Sequence, residues 1–228
     1  MKVTPPLFLR IIKFCLTAGL LLFMQSCSHQ EDDGSVSLNI PSSVCQRLAS
    51  RDIGDPTDTM TIFVTGDYEA KKTISFPADN FPAAGITVEF GGIRAGSKVR
   101  VVCLFRSDDD SAYSCKIGVS DEVTILGGQE NAANVKLADL IIYASVDTST
   151  STYIMSLSRN LPGCTYNWYF KDSDFYDGTE FSFTTSSNEC NFSPYLPASN
   201  SFGSVDGTHL CTIYCNGTKI ITLKPDIH

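Results

Sequence analysis

Hydrophobic positions fall into two regimes along the chain. Phe14–Met24 (FCLTAGLLLFM) is one apolar run, preceded by Lys2, Arg10 and Lys13 and free of acidic residues. After Gly34 the apolar residues come instead in short runs rich in Val, Ile, Thr, Phe and Tyr, separated by Gly, Asp, Asn and Ser. Such runs predict β-strands, and no long stretch sustains a helical period. In the first half, strands are expected over Ser35–Ile40, Thr59–Thr65, Lys72–Phe76, Ile86–Phe90, Lys98–Phe105, Tyr113–Val119, Glu122–Leu126 and Ala133–Leu137. Within KVRVVCLF, Val99, Val101, Cys103 and Phe105 share one face, and Arg100, Val102 and Leu104 the other. The wholly apolar first face reads as the core side, which leaves Arg100 pointing outward.

The second half carries TYIMSLS and TYNWYFKD as expected neighbouring strands. TEFSFTT follows, then a long Ser/Asn/Pro-rich connection from Ser186 to Asp206. HLCTIYCNGTKIITL is the clearest local signal: two strands joined by Asn216-Gly217, the dipeptide favoured in a two-residue type I′ hairpin. The fold class expected is all-β, with two β-sandwich modules in tandem.

The first apolar run has the length of a signal-peptide core and is short for a membrane span. It ends at Ser26-Cys27, followed by the polar, acidic SHQEDDG. This resembles the lipobox of bacterial lipoproteins, although Gln25 departs from the small or apolar residue usual two places before the cysteine. The resemblance implies cleavage before Cys27, acylation of its thiol, and an anchor in the outer membrane. Each buried acyl methylene contributes about 0.8 kcal/mol to such an anchor. Residues 1–26 are then the signal and 27–34 an acidic tether. The acidic run after the cysteine also resembles the surface-export signal of some Gram-negative lipoproteins, with the periplasmic face as the alternative location.

Losing Lys2, Arg10 and Lys13 with the signal leaves 14 basic against 25 acidic residues, a net charge near −11. That argues against nucleic acid or an anionic membrane surface as a partner, since binding either requires a basic stripe. Of the nine cysteines, Cys15 departs and Cys27 is acylated. Cys45, Cys103, Cys115, Cys164, Cys190, Cys211 and Cys215 remain, an odd number, and in an oxidising envelope some should pair. CLFRSDDDSAYSC reads as a hairpin turning near Asp109, which would bring Cys103 opposite Cys115 for a cross-strand disulfide; two buried thiols are the alternative. The other connectivities stay open.

No catalytic set is legible, and an enzyme is not expected. The mature chain has only His29, His209 and His228 to serve as bases, and neither G-x-S-x-G nor a phosphate loop occurs. Asp108, Asp109 and Asp110 read as a solvated turn, because three adjacent carboxylates cannot all converge on one ion without further oxygen ligands. Asp172, Asp174 and Asp177 before Gly178 read likewise, because no glutamate lies where a bidentate ligand would be needed. No metal or other cofactor is expected. Tyr169, Phe175 and Tyr176, on an outer strand face and in the loop KDSDFYDGTE, are the candidate ligand contacts, whereas Trp168 reads as core.

FPAAGITVEFGGIRAGSKVRVVCLF resembles a strand–I-x-x-G–strand passage of prealbumin-like domains in bacterial surface lipoproteins, which implies one module over residues 35–138. Trp168 in YNWYF and GTHLC, with His209 in place of the usual tyrosine, resemble an Ig-like or PKD-like domain over residues 139–228. TYIMSLSRN holds no cysteine to partner Cys211, so the inter-sheet disulfide of such domains is absent or rewired through Cys164 or Cys190. The expected function is a non-enzymatic, lipid-anchored envelope protein that binds an extracellular or envelope protein, or a glycan, in adhesion. Two alternatives stand beside it. CQRLASRDIG places Arg47 and Arg51 after the first strand, which resembles fimbrial subunits made as lipoproteins and trimmed by an arginine-directed protease. The other is a glycan-capture lipoprotein.

Overall fold

The segment KVRVVCLFR becomes strand β5 (Lys98–Arg106), and its near-continuous apolar character sets the architecture. Both of its faces are covered. Val99, Val101, Cys103 and Phe105 enter one buried cluster, while Val102 and Leu104 enter another. Strands covered on both faces read as unbroken hydrophobic runs rather than as alternation. The expected outward face is therefore a second core face; only Arg100 on it is half-buried, donating from Nη1 to the Ser120 carbonyl at 3.0 Å.

This computed structural model describes residues 33–42, 58–76, 85–106, 114–147, 149–150, 152–172, 180–192 and 207–225. Among them the fold is all-β, in three sheets. The central sheet runs in the order β13 (Glu189–Phe192), β10 (Thr152–Leu157), β9 (Ala138–Asp147), β6 (Ser114–Val119), β5, β2 (Asp58–Gly66) and β3 (Ala70–Phe76), with β7 (Val123–Thr124) beside the start of β5. A small sheet has β1 (Gly34–Ile40) between β4 (Ile86–Ile93) and β8 (Glu130–Ala133). A four-stranded sheet has the order β12 (Glu180–Thr185), β11 (Cys164–Asp172), β14 (Gly207–Cys215) and β15 (Thr218–Leu223).

Two cores follow from this layering. Val36, Leu38 and Ile40 of β1 pack with Val88 and Phe90 of β4 against Met60, Ile62 and Val64 of β2 and the odd-numbered apolar residues of β5. On the opposite face of the central sheet, Trp168, Tyr166 and Ile213 of the four-stranded sheet pack on Val102, Leu104, Ile117, Leu140 and Met155. Asp33–His228 form one compact unit.

The join is β9, a strand that the sequence pattern does not predict. β9 pairs antiparallel with β6, from Ser114↔Ile141 to Ile117↔Ala138. The division expected between residues 138 and 139 thus falls at the start of a strand that continues the sheet of the first half. Arg159 seals that ladder, donating from Nη2 to the carbonyls of Ile117 and Ala138.

TYIMSLS and TYNWYFKD, expected as neighbours, lie in facing sheets as β10 and β11. The chain crosses between them through 158–163, and Tyr166 pins the crossing. Its hydroxyl donates to Asn160 Oδ1 at 2.6 Å and accepts from the Leu161 amide at 2.7 Å. The hairpin β14–β15 turns at Asn216 (φ 48°) and Gly217 (φ 85°), the paired positive φ values that a type I′ turn demands.

Leu104 is 6% exposed and belongs to the core shared by the central and four-stranded sheets. Leu104→Ala is expected to cost about 2–5 kcal/mol, read as a lower urea midpoint with an unchanged slope. A loss below about 0.5 kcal/mol would mean that this face of β5 is not a core face.

Candidate functional site

Strand β11 divides its side chains cleanly. Tyr166, Trp168 and Phe170 turn inward and are buried, while Asn167, Tyr169 and Lys171 turn outward. Directly opposed residues of neighbouring strands share a face, so the register extends this outer surface across the sheet. Asn167 lies between Thr184 of β12 and Thr212 of β14, and Thr212 lies beside Thr222 of β15. These side chains form a polar row: Asn167 Nδ2 donates to Thr184 Oγ1 and to Ser182 Oγ, each at 3.1 Å, and the Thr212 and Thr222 hydroxyls are 3.0 Å apart.

Tyr169 stands on one side of this row, beside Ser182 and Leu210. Tyr214, opposite Thr165, stands on the other. Four strand residues separate their levels, which at about 3.4 Å each puts the rings roughly 14 Å apart along the strands. Partial desolvation, together with Glu180 beside it, raises the Tyr169 phenol above its ordinary value. The face therefore presents two half-exposed rings with hydroxyl and amide groups between them. Tyr169 is the expected contact residue that the structure places here. Phe175 and Tyr176 lie outside the described residues, as do Cys27, Cys45, Arg47, Arg51, Asp108–Asp110, Asp174 and Asp177. Tyr214, Asn167 and Thr212 were missed; the alternation of THLCTIYC puts Thr212 and Tyr214 on one face, but only the register brings them beside Asn167.

Beneath this surface lie buried polar groups that pair with one another. His209, 0% exposed, receives or gives a hydrogen bond at Nδ1 with the Tyr153 hydroxyl at 2.5 Å. Its ring lies edge-on to Tyr153 and tilted against Phe170, with centroids 4.9 and 4.6 Å away. Burial pushes the Tyr153 phenol far above its normal value, so it is neutral and a donor is available to the imidazole. His209 thus joins the central and four-stranded sheets through a buried pair. Trp168, the ring the sequence marked as core, is 0% exposed and faces Cys211 across the β11–β14 ladder.

The expected Cys103–Cys115 bridge is not made. Cys103 stands opposite Gly118, and the β5–β6 register runs from Val102↔Val119 to Phe105↔Lys116. Cys115 is three positions from the register partner of Cys103, and an odd offset turns a side chain to the other face of a sheet. Cys103 accordingly lies in the core under the small sheet and Cys115 in the core under the four-stranded sheet. Among the described residues no three His, Cys, Asp or Glu side chains converge as a metal-binding group.

No protein-family model matches the chain. No curated protein matches it either.

The two faces of β11 predict opposite responses at adjacent positions. Tyr169→Ala should change the free energy of unfolding by no more than about 0.5 kcal/mol, whereas Trp168→Ala should cost about 3–5 kcal/mol. Urea titrations followed by circular dichroism measure both. Comparable losses would contradict the assignment of Tyr169 to a free outer face.

Proposed function

We propose that the protein is a lipid-anchored envelope protein that acts by binding, in adhesion, with its β-sheet body held to the membrane through Cys27 and β1. The observation that carries this reading is the position of β1. It begins at Gly34, directly after the acidic tether, and is the middle strand of the small sheet. It is hydrogen-bonded antiparallel to β4 from Ile40↔Ile86 to Gly34↔Ile93, and parallel to β8 from Ser35↔Glu130 to Leu38↔Ala133. A pull transmitted through the tether loads β1 along its axis, so that both ladders must shear together while Val36, Leu38 and Ile40 leave the core. Resistance to force is set by the unfolding barrier, and this arrangement raises it. The outer face of the four-stranded sheet is the binding surface, and its two rings flanking a row of hydroxyls and an amide suit a glycan, which stacks on aromatic faces and exchanges hydrogen bonds with polar side chains.

A second reading, a filament subunit, is favoured by the same strand. β1 fills a slot between two others and is followed by the segment that holds Arg47 and Arg51. Cleavage there would leave β1 held only by non-covalent contacts, and a strand from another subunit could occupy the slot by strand addition.

One experiment on cells separates these readings. Intact cells are treated with a membrane-impermeant amine reagent beside a Cys27→Ser control, and the N-terminus of the mature protein is determined. Adhesion predicts labelling of intact cells, loss of membrane association in Cys27→Ser, and an acylated Cys27 at the N-terminus. An N-terminus at Leu48 or Asp52 would replace adhesion by the filament reading. Labelling only after the outer membrane is opened would contradict both.

A further inference from the structure

Cys164 opens β11 and Cys215 closes β14, and the register sets them directly opposite each other. Opposed residues of an antiparallel pair hold their Cα atoms about 4.5–5.5 Å apart, within the range of about 4.4–6.8 Å that a disulfide spans. Both side chains lie on the inner face, 5% and 0% exposed. Both are thiols in this structure. The neighbouring Cys164 thiol, with lesser help from the Thr65 hydroxyl and the Arg100 guanidinium, draws the Cys215 thiol below its ordinary value despite burial. Its counterpart Cys164 is pushed up, first by Cys215 and then by burial.

The surroundings hold the two sulfurs in place. Thr65 Oγ1, on β2 of the central sheet, donates to Cys215 Sγ at 3.4 Å. Asn216, the next residue, donates from Nδ2 to the Thr65 carbonyl at 3.3 Å. On the other side Gly163 adopts φ +67°, and a Cβ there would stand 2.6 Å from Arg100 Nε, so the chain approaches the guanidinium closely just before Cys164. Neither Cys103 nor Cys115 has a cysteine at its register position, and Cys190 and Cys211 lie opposite Met155 and Trp168. Among the described residues, 164 and 215 are the cysteines that share a rung of a ladder.

We propose that Cys164 and Cys215 form a cross-strand disulfide in the mature protein, a staple between the two middle strands of the four-stranded sheet. It forms by thiol–disulfide exchange with an oxidising disulfide while β14 docks, before burial closes the site. The thiolate of one cysteine attacks the oxidant's disulfide, forming a mixed disulfide and releasing one oxidant sulfur as a thiolate. The thiolate of the other attacks the protein sulfur of that mixed disulfide; the Cys164–Cys215 bond forms and the second oxidant sulfur leaves. Two electrons pass from the cysteine pair to the oxidant, and the two protons lost by the protein thiols are taken up by the oxidant's sulfurs. The staple closes the chain from residue 164 to residue 215 at the point where the sheet meets Thr65.

Formation in the cell rests on the export reading above, so two arms keep the readings apart. Protein purified from the cell envelope is trapped with iodoacetamide in denaturant and digested without reduction. The same protein is also reduced, unfolded, refolded with a mixture of reduced and oxidised glutathione, and treated identically. The expected product in both arms is a Cys164–Cys215 cross-linked peptide, lighter by two hydrogens than its parts. Alkylation of both cysteines after refolding, or their linkage to other cysteines, overturns the proposal. A cross-link in glutathione with both thiols alkylated in envelope material supports the pair and overturns the export reading. Reduction should lower the melting temperature of the oxidised protein by about 5–15 °C, and Cys164→Ala/Cys215→Ala should lack this fall. A melting temperature that does not respond to reduction contradicts a staple.

Discussion

The β6–β9 ladder is the interaction on which the rest of the molecule depends. Four registered pairs, from Ser114↔Ile141 to Ile117↔Ala138, are enough to continue one sheet from the first half of the chain into the second. Once they form, β5 and β2 become interior strands with a sheet against each face. Phe63, Val102 and Leu104 then bury surface against the four-stranded sheet, which they could not do in a module ending at residue 138. Burying each such side chain fully contributes about 1.5–3 kcal/mol, so the halves stabilise one another through side chains as well as through the ladder. Arg159 makes the link directional, because its guanidinium bonds the carbonyls at the closing end of that ladder.

This layering gives the outer sheets different tasks. The small sheet holds β1 between two partners, β4 and β8, and on the proposed reading it is the end that would carry load from the anchor. The four-stranded sheet sits on the opposite face of the central sheet and offers an outer surface of Tyr169, Asn167, Thr212 and Tyr214. Between the two lies a sheet whose residues are consumed by packing. The polar groups beneath the surface hold elements in position: Tyr166 pins the crossing from one sheet to the next, and Tyr153 with His209 ties the same two sheets at depth.

Much of the strand content was legible because local chemistry decides it. Alternation gave β1, β2 and β10 within a residue or two, and Asn216-Gly217 fixed the β14–β15 hairpin through the positive φ values its turn requires. The three-layer arrangement was not legible, for a physical reason. ADLIIYASVD alternates Leu140 and Ile142 with Ile141 and Tyr143, and two apolar faces left no sign of which strand it pairs with. β13 was hidden in a Ser- and Asn-rich stretch, where buried Cys190 stands between exposed Glu189 and Asn191. The unbroken run in β5 was itself the sign of two-sided burial, but assigning one face to solvent concealed it. The candidate site was half legible. Tyr169 follows from alternation within β11, while its neighbours Thr184, Thr212 and Tyr214 depend on pairings between strands that lie far apart in sequence. The cysteines show the same limit: a β5–β6 register three residues from the expected one sent Cys103 and Cys115 to opposite cores, and the separate β11–β14 register set Cys164 against Cys215.

The central claim is that two cores share one sheet and therefore unfold together. Trp168 is the only tryptophan, and it lies in the core under the four-stranded sheet. Its fluorescence reports that core alone, while amide hydrogen exchange in β1 and β4 reports the other. Followed together across a urea titration, the two signals should change at a common midpoint. Opening of the β1 and β4 amides at a clearly lower urea concentration, with the Trp168 signal unchanged, would contradict the account and return the chain to two modules joined end to end.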